Sequence, residues 1–475
     1  MTHAQRNQDP LDWGYLFPIF AVAGMAGILF GFDQGIWNVV SKFLLESFDI
    51  DATSAAGATE EGFAVSILYL GALLGALLSG YSTSRVGRRR SLMMSASSFL
   101  LGIFFYAIAP TMIWIVIGRI LMGFGIGIAA MAAPLYLSEV SPPQVRGAAV
   151  AGFQLAITLG ILLTSLIGLV YQQLENWRVM VAFGLLPTTL FFAGLFITPD
   201  SPRWLISKGR SVEATSILMK LLNKQNVSSE VREIQNSTNR VTTGSFGQLF
   251  TPRIFPLVIV AFGLFVFQQL SGVNVFFTYS TSIFEKAGLP QSASYLSTFG
   301  LGAVNVLATL LSMWVIDRIG RRSLLLIGFA GAVACLLSLG YLLNTNNTSF
   351  LLVIACFAYV TFFAVGLGPT PYLLMAEIFP LSLRGTAMAF SSCANWLLNG
   401  LVVGLFPELS IRLGTGNAFY LFAACSIVAF IFVYFMVPET RGVSLESIEE
   451  NLYKGKTTRH LGDPIRKPQH VQTGI

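Results

Sequence analysis

The chain has 475 residues, of which 54% are hydrophobic and only 11% charged, with a mean hydropathy of +0.69. An ordinary soluble domain carries about 25% charged residues, so this composition excludes a soluble globular protein and indicates an integral membrane one. The net charge of +6 sits on Lys and Arg of loops and termini and calls for no nucleic-acid partner.

A polar start, 1–16, leads into an apolar run too long for a signal-peptide core. Twelve apolar runs follow, predicted at 17–40, 63–83, 91–109, 113–136, 148–170, 178–198, 254–284, 293–316, 323–344, 351–375, 386–408 and 418–437. They divide the chain into a six-helix half (17–198), a polar linker (199–253), a second six-helix half (254–437) and a tail (438–475). The expectation is an all-α integral membrane protein with twelve transmembrane helices.

Lys42, Arg178, Lys286 and Arg412 fall in loops on one side, Arg119 lies inside a span, and the other Lys and Arg gather on the opposite side. The positive-inside rule therefore places both termini and the linker in the cytoplasm. The opposite loop 41–61 carries Glu46, Asp49, Asp51, Glu60 and Glu61. In the linker, Val212–Lys224 has apolar residues at helical spacing after a Ser211 cap, and Ser229–Gln235 is a weaker helix. Both are expected to lie on the cytoplasmic face.

Glycosylation sequons at Asn226 and Asn236 carry no meaning on that side, and those at Asn346 and Asn347 lie in a very short outer loop. The four cysteines fall in apolar runs and read as packing residues. His3, His460 and His470 are all terminal, which excludes a histidine metal site or proton relay in the membrane.

The halves repeat. Arg85-Val-Gly-Arg-Arg matches Arg318-Ile-Gly-Arg-Arg, Ser138-Glu139…Arg146-Gly147 matches Ala376-Glu377…Arg384-Gly385, and Pro199-Asp200 matches Pro438-Glu439 at nearly one offset. Three co-linear pairs indicate a duplicated six-helix unit, with a site expected between the halves near the midplane.

The stretch Phe265–Tyr279, FVFQQLSGVNVFFTY, sets Gln268, Gln269 and Asn274 within apolar sequence. Unpaired amides in hydrocarbon are costly. They either join helices to one another or bind a ligand. Since a carboxamide both donates and accepts, such a cluster suits a neutral polyhydroxylated ligand better than an ion. Gln154, Asn305 and Asn395 are further lone amides in apolar runs.

QQLSGVN with its aromatic run resembles the seventh-helix motif of the sugar porter family of the major facilitator superfamily. The resemblance extends to LFGFDQG at 29–35, GRILMGFGIG at 118–127, the two RxGRR motifs, PDSPRW at 199–204 and PETRG at 438–442. It implies the major facilitator fold of two six-helix halves with short cytoplasmic helices, and a monosaccharide site formed by Gln154, Gln268, Gln269, Asn274, Asn305, Asn395, Trp396 and Tyr372. The family's acidic residue before the first RxGRR is Ser84 here, its tyrosine pair is Thr278-Tyr279 and its tenth-helix tryptophan is Tyr372.

Asp33 and Arg119 are the two charges placed well inside spans. Either alone costs roughly 3 kcal/mol at a helix centre, so pairing is expected, either as a fixed bridge or as a proton switch. Desolvation favours a protonated aspartate and a nearby guanidinium the charged one. Proton-coupled sugar porters carry Asp at this place and facilitative ones mostly Asn, so the resemblance implies proton symport.

The resemblance also implies a cytoplasmic gate of ion pairs from Arg85, Arg88, Arg89, Glu139, Arg146 and Arg203 with Asp317, Arg318, Arg321, Glu377, Arg384 and Glu439. The expected protein is a monomeric proton–monosaccharide symporter of the cell membrane, with no cofactor, no metal and no enzymatic activity. A facilitative uniporter and a membrane sugar sensor are the alternatives.

Overall fold

The structure is a computed structural model that describes residues 11–240, 246–345 and 350–463. His3, His470 and the sequons at Asn346 and Asn347 lie outside the described residues. Among the described residues, twelve helices are long and apolar enough to cross a membrane: α1 (Trp13–Ser47), α2 (Ala55–Arg85), α3 (Arg88–Ala107), α4 (Met112–Val140), α5 (Arg146–Leu174), α6 (Trp177–Gly194), α7 (Phe255–Lys286), α8 (Gln291–Ile319), α9 (Arg321–Asn344), α10 (Phe350–Ile378), α11 (Ser382–Arg412) and α12 (Thr415–Met436). They form two six-helix halves, α1–α6 and α7–α12, and no strand occurs among the described residues.

Most helices run past the apolar stretches that mark them. The clearest case is α2, expected from residue 63. The Ser54 hydroxyl accepts from Gly57 N at 3.0 Å and starts the helix at Ala55, a side-chain N-cap. Glu60 and Glu61, assigned to a loop from the sequence, are therefore helical, and Glu61 is buried. Asp33 and Arg119 are thus not the only charges buried within the spans.

Among its described residues the linker holds three short α-helices and a 3-10 turn at Phe246–Phe250. Pro202–Ser207 is capped by Ser201, Ser211–Leu222 starts from Arg210 with no side-chain cap, and Ser228–Arg240 outruns its predicted length. Ser211 is not the expected cap; it lies inside the helix, and Arg210 pairs with Glu213 at 2.5 Å.

Among the described residues, α6 is interrupted by a turn at Phe183 and Gly184, and α7 and α10 are broken beside the site. In α7, helical geometry stops at Leu270 and resumes at Val273, with Gly272 at φ +82°. That conformation is strained for any residue with a Cβ. In α10 a π-turn at Phe363–Leu367 precedes Pro369 and Pro371. Such breaks free backbone carbonyls, which must be satisfied inside the protein. Helices α7 and α10 do this for each other. The Tyr359 hydroxyl donates to Ser271 O at 2.6 Å, and Gln268 Nε2 donates to Leu367 O at 2.7 Å.

The halves meet on the face away from the linker. There α2 and α11 approach until a Cβ on Gly62 would strike the Gly404 carbonyl. The hydrogen bonds and the ion pair joining the halves cluster on one stretch of α1. Gln34 donates to Asn274, Asn38 donates to Ser280 (2.7 Å) and accepts from Thr281 N (2.9 Å), Val39 O accepts from Tyr295, and Lys42 pairs with Glu285 at 3.5 Å.

Candidate functional site

Beside the break in α7, the amides form one continuous chain of hydrogen bonds. Gln269 is its hub: Nε2 donates to Asn395 Oδ1 at 2.5 Å, and Oε1 accepts from Asn274 Nδ2 at 2.6 Å. Asn274 Oδ1 accepts in turn from Gln34 of α1, and Asn395 Nδ2 donates to the Tyr372 hydroxyl at 3.3 Å. Five of the predicted residues are thus linked across α7, α10 and α11, Gln268 by accepting from Gln269 Nε2 at 3.4 Å, and the chain reaches into the first half through Gln34. Gln268 is also bound to the α10 carbonyls. Each link could be exchanged for one to a hydroxyl without leaving a donor or acceptor bare, because a carboxamide offers both functions.

The other predicted residues are placed differently. Asn305 is buried in α8 without a side-chain hydrogen bond to the chain. Trp396 is buried, tilted against Phe30 at 5.6 Å and Tyr69 at 6.5 Å, so its ring bridges α11 to α1 and α2. Gln154 is exposed. It continues the α5 stripe of Thr158, Leu162 and Ser165, whose last two members pack on Gly302 of α8. Residues four apart share a helix face, so Gln154 extends that inter-half face toward the linker, where the halves separate.

Asp33 and Arg119 are 1% and 2% exposed, yet no ion pair joins them. Neither Asp33 oxygen has a hydrogen-bond partner. Arg119 donates from Nη2 to Val65 O at 3.3 Å and sets its guanidinium 5.0 Å from the centre of the Trp37 ring.

On the linker face the charges of the repeated motifs form two networks, one inside each half. Arg88 meets Glu139 at 2.8 Å, and Glu139 also accepts from Ser201. Arg321 meets Glu377 at 2.9 Å and Asp317 at 3.0 Å, and Glu377 accepts from Thr440 at 2.5 Å. Glu439 accepts from the backbone N–H groups of Arg321 and Arg322. Arg89 donates to Leu195 O and Phe196 O, Arg384 reaches Phe379 O, and Arg85 and Arg318 lie over Tyr81 and Trp314. Arg146 and Arg203 make no ion pair among the described residues. The structure does not bring the two sets of charges together.

Gln34 and Asn38 of the inter-half contact, and Trp37 with its partner Glu61 inside the first half, were given no site role from the sequence. A signal existed for two of them. Gln34 and Asn38 are polar residues four apart in an apolar run, hence on one helix face.

Comparison with known proteins agrees with this architecture. The sequence model of the family described as "Sugar (and other) transporter" matches residues 19–452. The glucose transporter GlcP of Staphylococcus epidermidis is 33% identical over 438 residues, covering 91% of this chain and 96% of that one. The galactose-proton symporter of Escherichia coli K12 is 33% identical over 463 residues, covering 96% and 98%. A structure of the xylose transporter XylE from E. coli, in a partially occluded inward-open conformation, superposes with a TM-score of 0.81 at 29% identity, covering 91% of this chain and all of that one.

Proposed function

The chain belongs to the sugar transporter family, and from that premise we infer that it is a proton-coupled symporter of a monosaccharide, a hexose or a pentose, working by alternating access. On this reading the sugar hydroxyls exchange with the amide chain of Gln269, Asn274 and Asn395, while Gln268 holds α10 in place. Tyr372 and Trp396 supply ring surface, and Gln154 and Asn305 close in from α5 and α8 as the halves rock. Relatives named for glucose, galactose and xylose support a monosaccharide as the substrate class.

The observation that carries proton coupling is the separation of Asp33 from Arg119. A buried carboxylate without a partner is costly by several kcal/mol, and binding a proton removes that cost. When α1 and α4 shift against each other within the first half and Arg119 reaches Asp33, the guanidinium favours the charged form and the proton leaves. The driving force is adequate. One proton crossing 100 mV supplies about 2.3 kcal/mol, and one pH unit about 1.4 more, enough for roughly several-hundred-fold accumulation of a neutral sugar.

The moving bodies on this reading are 17–198 and 254–437, joined by 199–253. The Lys and Arg bias supports a cytoplasmic linker and cytoplasmic termini, and on this reading the protein works as a monomer in the cell membrane. The halves meet on the outer face, so this is an inward-open arrangement. Rocking to the other state brings the Arg88–Glu139 and Arg321–Glu377 networks against each other as the inner gate.

Asp33→Asn tests the coupling in proteoliposomes. The amide mimics a permanently protonated acid, so sugar exchange should persist while proton-driven accumulation is lost. Uptake by the parent should rise as external pH falls and collapse with a protonophore. If the parent takes up no protons with sugar, the symport reading fails and the protein is a facilitative uniporter.

A further inference from the structure

In this structure Arg119 is seated away from Asp33, and the seat is specific. Trp37 lies one turn beyond Asp33 on α1, so the two share a helix face. The Arg119 guanidinium stands over the Trp37 ring at 5.0 Å, within the range of a cation–π contact. On the far edge of the ring, the indole N–H donates to Glu61 Oε1 at 3.3 Å. Trp37 is 1% exposed and Glu61 8% exposed, so all three groups are out of water. An anion accepting the indole hydrogen draws it outward and enriches the ring in electrons, which strengthens the face offered to a cation. Glu61 also compensates the charge of Arg119 from the other side of the ring.

We propose that Trp37 and Glu61 form a second seat for Arg119, which holds the guanidinium off Asp33 while the aspartate carries its proton. Glu61 is a positioning residue: it acts through Trp37 and touches neither sugar nor Asp33. The proposal rests on the reading of Asp33 as the proton site. Arg119 then alternates between two seats, and their relative strength sets the proton affinity of Asp33. The other titratable groups around Asp33 are Tyr69 of α2 and Tyr106 of α3, with Tyr279 of α7 near Tyr69 and Glu61. Lys286 of α7 acts on Glu61 from the outer end.

The test is the dependence of sugar uptake on external pH in proteoliposomes, measured beside sugar exchange at equal pH. Glu61→Ala weakens the second seat, so Arg119 favours Asp33 and more acid is needed to protonate it. The half-maximal pH of proton-driven uptake should fall by about one unit, a tenfold loss of proton affinity, with exchange retained. Glu61→Gln keeps an acceptor for the indole hydrogen but loses the charge, and should recover only part of the shift. Trp37→Phe keeps a ring but loses the N–H, and should shift the profile in the same direction. A Glu61→Ala profile superimposed on the parent's, with the parent's proton uptake intact, overturns the seat and leaves the Asp33 reading standing. A parent without sugar-dependent proton uptake overturns both. Should Glu61→Ala lose exchange as well, Trp37→Phe decides, and an unshifted profile there overturns the proposal.

Discussion

The two halves share one frame and fill it differently. At the linker-face corner of each, a glycine with positive φ, Gly87 at 99° and Gly320 at 104°, opens the third helix of that half. The arginine after it meets a glutamate, Glu139 or Glu377, which also takes a hydroxyl, from Ser201 or Thr440. Only the second half adds an aspartate to the pair, Asp317; in the first, the Ser84 hydroxyl turns back to Tyr81 O. The centres diverge further. The first helix of the first half, α1, is unbroken and carries Asp33, whereas its counterpart α7 breaks at Gly272 and carries the amides. A hydrogen-bonded corner tolerates little change, because each member leaves a buried partner bare when removed. The centre is free to specialise, with the charge in one half and neutral amides in the other.

That division can be broken most strongly at the amide hub. Gln269→Ala should weaken sugar binding five- to hundred-fold, since losing a hydrogen bond in a dry site costs about 1–3 kcal/mol. Calorimetry on the purified protein measures it. Asn274→Ala should act alike with folding nearly intact, and unchanged binding in either variant would make the amides mere helix contacts.

Gly272→Ala tests whether the break itself matters. The positive φ costs about 1–2 kcal/mol with a Cβ, and that atom would stand 2.6 Å from the Phe422 ring. Thermal unfolding in detergent should drop by several degrees, with weaker sugar binding; an unaltered melting curve would show that α7 can straighten without cost.

The corners can be made more or less alike. Glu377→Ala strips Arg321 and Thr440 of their shared acceptor, and should destabilise by about 1–3 kcal/mol. It should also shift cysteine accessibility further toward the linker face. Ser84→Asp restores to the first half the pair that Asp317 makes in the second. Because that position is exposed, the gain should stay within about 0.2–1 kcal/mol.

The smallest effect belongs to the linker, where water competes. Lys224 and Ser229 hold the Glu230 carboxyl well below the usual carboxylate range, at about 2. A depressed value means the stabilisation is present above the ordinary carboxylate range near 4.5 and is lost as pH falls toward 2. Screening at this partly exposed site limits it to under about 1 kcal/mol. Lys224→Ala should therefore differ slightly from the parent at pH 7 and less at pH 2, by chemical denaturation of the linker helices.

Much of this was legible along the chain. Twelve apolar runs, the duplicated RxGRR and glutamate motifs, and the polar linker follow from local composition, because a bilayer demands a continuous apolar helix for each crossing. The amides of α7 stood out for the same reason, as polar groups in hydrocarbon. The start of α2 was not legible: Glu60 and Glu61 read as loop, and only the Ser54 cap and the Trp37 indole explain why a carboxylate is drawn into the protein.

What the sequence determined by itself was which stretches must leave water, the apolar spans, and which groups within them must be hidden from lipid, Asp33, Arg119 and the amides of α7. What the tertiary structure alone decided was who partners whom. Gln34 completes the amide chain from the other half, the linker-face charges pair within each half, and Arg119 rests on Trp37 instead of Asp33. Burial is a property of a residue and its neighbours along a helix, readable from the local pattern. A partner is a residue brought near from another helix, and that depends on how the halves are packed.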